Sequence, residues 1–296
     1  MTLNISEIRN DNRSGSFTLT MNTLKLFKKY LNEKKKSNTD AETVFEEMQI
    51  AAKNLIKHQS NMVLLRKANN SLISYFKRLL KSDKNPAELF SALVEKIELL
   101  EEEYQNNIDV IASSGAKLIT NFNKILTYSN STVATDILKK ADSQKRKFEV
   151  FCLKSDPPGE GVELAKNLNE LGIKTTIVTD SQAGVIMNDM NLVIIGADRL
   201  YEKGFVNKSG TLAVCLLAKH FNIPVYLAVE TTKILKETER SIKDIERDTK
   251  EVYTGDESIS VVNSYYEKIP LTLVHKVISE QGVFETPEFS SWYLGD

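Results

Sequence analysis

Between Gly15 and Gly115 this chain has no glycine, and Pro86 is its only proline before Pro157. A stretch so poor in both breakers reads as helix. Cysteine is nearly as scarce. Cys152 falls in an apolar strand pattern and Cys215 in an apolar helix pattern, with no CxxC spacing, so both are expected as buried reduced thiols. The three histidines, His58, His220 and His275, are scattered singly, and no pair has the spacing of zinc ligands. No metal is expected. An apolar run of about 18 residues and a signal-peptide pattern are both missing, so a cytoplasmic protein is expected. Charge of one sign is missing too. A net charge of −1 gives no electrostatic footprint for nucleic acid.

What is present fits a globular protein of 296 residues, 41% hydrophobic and 27% charged, long enough for two domains. Residues 1–112 read as a helical domain. Met62, Leu65, Ala68, Leu72, Phe76 and Leu79 recur at steps of three and four. Pro86 suits the first turn of a further helix with Leu89, Leu93, Ile97 and Leu100 on one face. Lys34 to Lys36 suit a helix C-terminus.

Near Ser113-Ser114-Gly115 the period changes, and residues 113–296 read as the second domain. Strands are expected at Lys117–Ile119, Lys124–Tyr128, Phe148–Lys154, Lys174–Thr179, Leu192–Ala197, Val225–Val229, Ser260–Val262 and Leu273–Ile278. Helices are expected at Thr132–Ala141, Gly161–Leu171, Gln182–Met187 and Gly210–Phe221. This alternation predicts an α/β fold, a doubly wound parallel sheet after the helical domain. The charged stretch Lys233 to Lys250 reads as an exposed connection or a surface helix.

Four places are candidate sites. Asp198 follows the apolar strand Leu192–Ile195 and the small pair Gly196-Ala197, at the strand end where ligands of open α/β sheets bind; capping the turn is the other reading. Asn207-Lys208 precedes Ser209-Gly210-Thr211 and an apolar helix, a plausible anion seat with free backbone N–H groups. Ser129, Asn130, Ser131 and Thr132 join a strand to a helix and either cap it or cap it and grip a phosphate. Arg13, beside the Ser14-Gly15-Ser16 helix start, holds a second phosphate or belongs to an ordinary capped helix. Lys233 lies past a strand end and can face the same cleft. Gly159-Glu160-Gly161 also opens a helix, but Leu164 stands where a dinucleotide fingerprint has its third glycine. No nicotinamide or flavin cofactor is expected.

The stretch GADRLYEKGFVNKSGT, then AVCLLAKHFNIPVYLAVETTKI, resembles the signature of one superfamily. It contains the α, β and δ subunits of translation initiation factor 2B, ribose-1,5-bisphosphate isomerase and methylthioribose-1-phosphate isomerase. ILTYSNSTV and KSDPPGEGVELAKNLNELGIKTTIVTDSQAGVIM resemble further segments of that family, as do Asn263, Tyr266, Pro270, Glu280 and Gly282. The resemblance implies an N-terminal helical domain, a Rossmann-like C-terminal domain with a sugar-phosphate pocket, and dimers or larger homo-oligomers through the C-terminal half. Its isomerases use a cysteine at the position of Ser129 and an aspartate at that of Asp198. Here Asp198 is kept and the thiol is a hydroxyl, far less acidic, with no histidine beside it. Asp156 stands where the isomerases place an arginine, so it would repel a phosphate. The resemblance therefore implies an archaeal-type regulatory relative of the 2B α subunit. Its partner would be the α subunit of initiation factor 2, its ligand a sugar phosphate or nucleotide. The pocket would comprise Arg13, Gly15, Ser129, Asn130, Ser131, Asp198, Asn207, Lys208 and Lys233. Sugar-phosphate isomerisation is the alternative.

Overall fold

Helices fill the first of two units, Met1–Asn106 and Asn107–Asp296, in the computed structural model, which describes residues 3–235 and 247–294. They are α1 (Ser6–Asn10), α2 (Ser16–Lys36), α3 (Ala41–His58), α4 (Val63–Leu79) and α5 (Pro86–Ala116). Sequence signals account for their ends. Asp40 accepts from the Thr43 amide to cap α3, and Asn85 and Glu88 bond each other's backbone N–H groups before α5. The expected stripe of α4 is buried from Met62 to Leu79, as are Leu89, Leu93, Ile97 and Leu100 of α5. Phe76 packs edge-on to Phe45 at 5.3 Å and to Phe90 at 6.4 Å. The division between the units lies inside α5, ahead of Ser113-Ser114-Gly115.

The second unit holds a seven-stranded sheet. Its strands are β1 (Asn123–Thr127), β2 (Phe148–Leu153), β3 (Lys174–Val178), β4 (Leu192–Ile195), β7 (Val225–Ala228), β9 (Lys276–Ser279) and β10 (Gly282–Glu285), in spatial order 10-9-7-4-1-2-3. All neighbours are parallel except β9 and β10. Crossovers run through α6 (Thr132–Ser143), α7 (Glu160–Glu170), the short α8 (Ala183–Ile186) and α9 (Thr211–His220), and α10 (Thr286–Leu294) follows β10. The chain winds outward from β1 to β3, then returns to place β4 on the other side of β1, with Thr127 opposite Ile194. That reversal is a topological switch point at the carboxyl ends of β1 and β4, where open α/β sheets place their crevice. Beyond β4 the chain forms β5 (Arg199–Tyr201) and β6 (Gly204–Lys208), which join β8 (Tyr266–Pro270) in a three-stranded antiparallel sheet.

Several expectations need correction. Lys117–Ile119 is the turn ending α5, where Leu118 and Ile119 donate to the Gly115 and Ala116 carbonyls, and the Arg146 guanidinium caps the Ala116 and Ile119 carbonyls. Ser260–Val262 forms no strand. Its β-branched residues have no paired neighbour, and Val262 is exposed. Leu271–Leu273 is a 3-10 turn, so β9 starts only at Lys276. β5 and β6 form a hairpin whose turn is Glu202-Lys203, just ahead of Gly204. Asn207 and Lys208 thus lie on a strand, not in a loop. Lys233, the first residue of the stretch expected to be exposed, is buried; residues 236–246 of that stretch lie outside the described residues.

Candidate functional site

Residues just past the strand ends line the crevice. After β1, the Tyr128 hydroxyl donates to the Ser209 carbonyl. The approach leaves no room for a side chain at Gly210, whose φ is +101° and whose Cβ would stand 2.1 Å from that hydroxyl. Ser129 adopts a left-handed φ of 66°. Its amide donates to Ser155 Oγ at 2.7 Å, and its own Oγ donates to Glu160 Oε1 at 3.0 Å. Ser131 caps α6, accepting from the Ala134 amide at 3.4 Å. Gly196, after β4, brings the second strand end against this cap: a Cβ there would lie 2.3 Å from Ser131 Oγ. Asn130, in the same β1–α6 loop, is partly exposed.

Glu160 opens α7 and is buried, with Oε2 lacking a hydrogen-bond partner. Lys208 Nζ stands 3.6 Å from Glu160 Oε1, outside hydrogen-bond range, and 3.7 Å from the centre of the Tyr265 ring. Lys208 is only 4% exposed, yet among the described residues its ammonium has no hydrogen-bond partner. Burial pushes the Glu160 carboxyl up and the Lys208 ammonium down, and the charge of each opposes the shift of the other.

Asp198 is partly exposed, and its amide donates to the Val206 carbonyl at 2.9 Å. Desolvation raises its carboxyl; Lys233, Arg199 and Lys208 oppose the rise. Lys233 Nζ donates to the Ala197 carbonyl at 3.0 Å, one residue before Asp198. Asn207 is tied inward, donating to Thr211 Oγ1 at 3.0 Å.

The structure therefore gathers Ser129, Ser131, Asp198, Asn207, Lys208 and Lys233 on the loops and strand ends around one crevice. Arg13 and Gly15 belong to the other unit. There the Asp11 carboxylate accepts from the Arg13 and Ser14 amides at 2.9 Å each, Arg13 is exposed, and Gly15 precedes α2. Two expectations about the crevice fail. The start of α9 is no open anion seat, because Glu267 Oε1, from β8, accepts from the Gly210 and Leu212 amides at 2.7 and 2.8 Å. Ser129 does have a base beside it, a carboxylate 31 residues away in sequence. Asp156 is paired with Lys154 at 2.7 Å on the surface, which offsets its charge. Sequence reasoning misses the roles of Glu160, Glu230, Tyr265 and Glu267. Only Glu160 carries a signal there, an acid on the first turn of a helix after a glycine.

Among the described residues, no three His, Cys, Asp or Glu side chains are grouped to hold a metal. No helix there is long and apolar enough to cross a membrane. Both cysteines are buried free thiols, pushed up to about 12 by desolvation.

Known proteins share this architecture. The chain is 28% identical over 254 residues to the ribose 1,5-bisphosphate isomerase of Methanocaldococcus jannaschii, covering 82% of this chain and 80% of that one. It is 33% identical over 178 residues to a putative translation initiation factor eIF-2B subunit 2-like protein of Pyrococcus furiosus. That match covers 60% of this chain and 63% of the relative, a little under two thirds of its length. The fold is similar to the crystal structure of 5-methylthioribose 1-phosphate isomerase from Pyrococcus horikoshii OT3, with a TM-score of 0.82 at 18% identity, covering 98% of this chain and 86% of the other. Residues 12–286 match the Initiation factor 2 subunit family, and the chain belongs to it.

Proposed function

We propose that the chain is a translation initiation factor 2B-like regulatory subunit that binds a sugar phosphate, or a nucleotide, without converting it. The observation that carries this reading is the buried Lys208 ammonium, which among the described residues is paired with the Glu160 carboxylate at 3.6 Å and lies over the Tyr265 ring but has no hydrogen-bond partner. A charge enclosed that way is costly unless an oxyanion completes its shell. Lys233 supplies a second cation, Asp198 and Glu160 accept from sugar hydroxyls, and Ser131 and Asn130 flank the ligand. Turnover is disfavoured because the position that carries the isomerase thiol is Ser129, whose hydroxyl is far less acidic than a thiol. In this reading residues 113–296 bind the ligand and assemble a homodimer or larger homo-oligomer. The whole protein acts in the cytoplasm on initiation factor 2 through its α subunit.

The test is thermal melting with ribose 1,5-bisphosphate beside a discontinuous assay for the ketose. A native-state ligand at a hundredfold over its Kd stabilises by about 2.7 kcal/mol, a visible rise. Lys208→Met should weaken binding roughly tenfold to a hundredfold, as loss of a charged hydrogen bond implies. No rise in the unsubstituted protein sinks the proposal.

Aldose–ketose isomerisation is the second reading, favoured by one contact, the Ser129 hydrogen bond to Glu160. A carboxylate there can accept the proton that Ser129 relays between adjacent sugar carbons, with Asp198 exchanging the hydroxyl proton. Ketose formation that disappears in Glu160→Gln and in Asp198→Asn would establish it in place of the first.

A further inference from the structure

Glu230 and Lys233 are the two ends of one 3-10 turn after β7, closed by the Lys233 amide donating to the Glu230 carbonyl at 3.0 Å. The Glu230 side chain is 0% exposed, and among the described residues neither carboxylate oxygen has a hydrogen-bond partner. Its nearest cation, Lys233 Nζ, is 3.8 Å away and is spent partly on the Ala197 carbonyl. Among the described residues, the other charge acting on Glu230 is Glu280, which repels it and already accepts from the Thr231 amide and hydroxyl. The Lys233 charge also acts on Asp198, with Arg199 and Lys208 acting on it too. One lysine is thus shared between a carboxylate sealed from water and Asp198, the carboxylate at the end of β4.

We propose that Glu230 is the positioning residue of Lys233, and that an anionic ligand which draws the Lys233 ammonium forward is bound together with one proton, taken up by Glu230. The inference rests on the crevice being a phosphate-binding pocket. The proton comes from solvent and ends on a Glu230 oxygen as an O–H; no other bond is made or broken. A sealed carboxylate that loses its counter-charge has no water to turn to, so protonation is its way out. Burial already pushes Glu230 up to about 7, with Lys233 opposing and Glu280 adding to the rise. Linkage sets the sign: a ligand that binds with proton uptake loses affinity as pH rises through the range of that group.

Calorimetry of ribose 1,5-bisphosphate binding, run at pH 7.5 in two buffers of different ionisation enthalpy, counts the protons. The expected result is net uptake, and a fall in affinity of about tenfold between pH 7 and pH 8.5, where the ligand phosphates are already mostly ionised. In Glu230→Gln, uptake vanishes, affinity is flat with pH, and binding at pH 8.5 is tighter than in the unsubstituted protein. Infrared difference spectra of the unsubstituted protein give a readout that needs no variant: ligand addition should raise the carbonyl stretch of a protonated carboxylic acid. Binding without uptake and without that band overturns this inference alone. A Gln variant that binds weakly with an unchanged pH slope also overturns it, since a merely structural residue behaves so. Failure of the bisphosphate to bind overturns the inference together with the pocket reading.

Discussion

At the scale of single residues, Lys208 is held by an aromatic face and a carboxylate that both stop short of hydrogen bonding it. Tyr265 is itself fixed through its hydroxyl, which donates to Glu251, and Arg247 lies 4.6 Å from the same ring. A desolvated cation over a ring is worth about 1–2 kcal/mol. Tyr265→Leu should therefore weaken ribose 1,5-bisphosphate binding by roughly fivefold to thirtyfold, whereas Tyr265→Phe, which keeps the ring and loses only the Glu251 bond, should stay within about threefold. Equal losses in the two variants would assign the effect to the hydroxyl and remove the ring from the account. None of this is legible in the sequence. Ser131 as a cap, Asp198 at a strand end and Lys233 near the cleft can be placed from their immediate neighbours. Glu160 meets Ser129, and Tyr265 meets Lys208, only through the folded sheet.

At the scale of elements, long apolar runs such as Leu192–Ile195 announce the parallel strands because both faces of that sheet are covered. The antiparallel arm gives no such signal. β5 and β6 are three and five residues long, carry Arg199 and Lys208 with Glu202 and Lys203 between them, and read as a charged turn around Gly204. The arm matters because β8 delivers Glu267 to the start of α9, where one carboxylate oxygen binds two amides. A charge there is favoured by the helix dipole and by the unpaired amides. Removing it by Glu267→Ala should cost about 1–3 kcal/mol in denaturant unfolding, the usual penalty for orphaned buried donors. It should also create the anion seat that the natural side chain fills. Inorganic phosphate should then stabilise the Ala variant more than the unsubstituted protein, and equal stabilisation of the two would contradict the assignment.

At the scale of the whole molecule, the crevice concentrates carboxyls that burial pushes up: Glu160, Asp198 and Glu230. In the unfolded chain these groups titrate near pH 4. Over the interval between the two states the native protein binds more protons than the unfolded one, so stability must fall as pH rises through that interval. For Glu230 the rise from 4.5 to about 7 corresponds to at most about 3.5 kcal/mol at 1.4 kcal/mol per pH unit. Surface carboxyls held down by hydrogen bonds, Asp40 and Asp256, act the other way and lose their contribution only as pH falls below about 4. Lys208, lowered by burial, releases its proton earlier in the folded state than in the unfolded chain, so its contribution grows only on the alkaline side, toward the ordinary lysine range. Together these signs predict a stability maximum close to pH 5 and a decline toward pH 7.5, opposite to a protein whose acids are stabilised by salt bridges. Urea midpoints measured at pH 5, 6, 7 and 8 decide it. A midpoint that climbs steadily across that range would mean that the crevice carboxyls are ionised and well paired in the folded protein, with their burial compensated by neighbouring charges and donors.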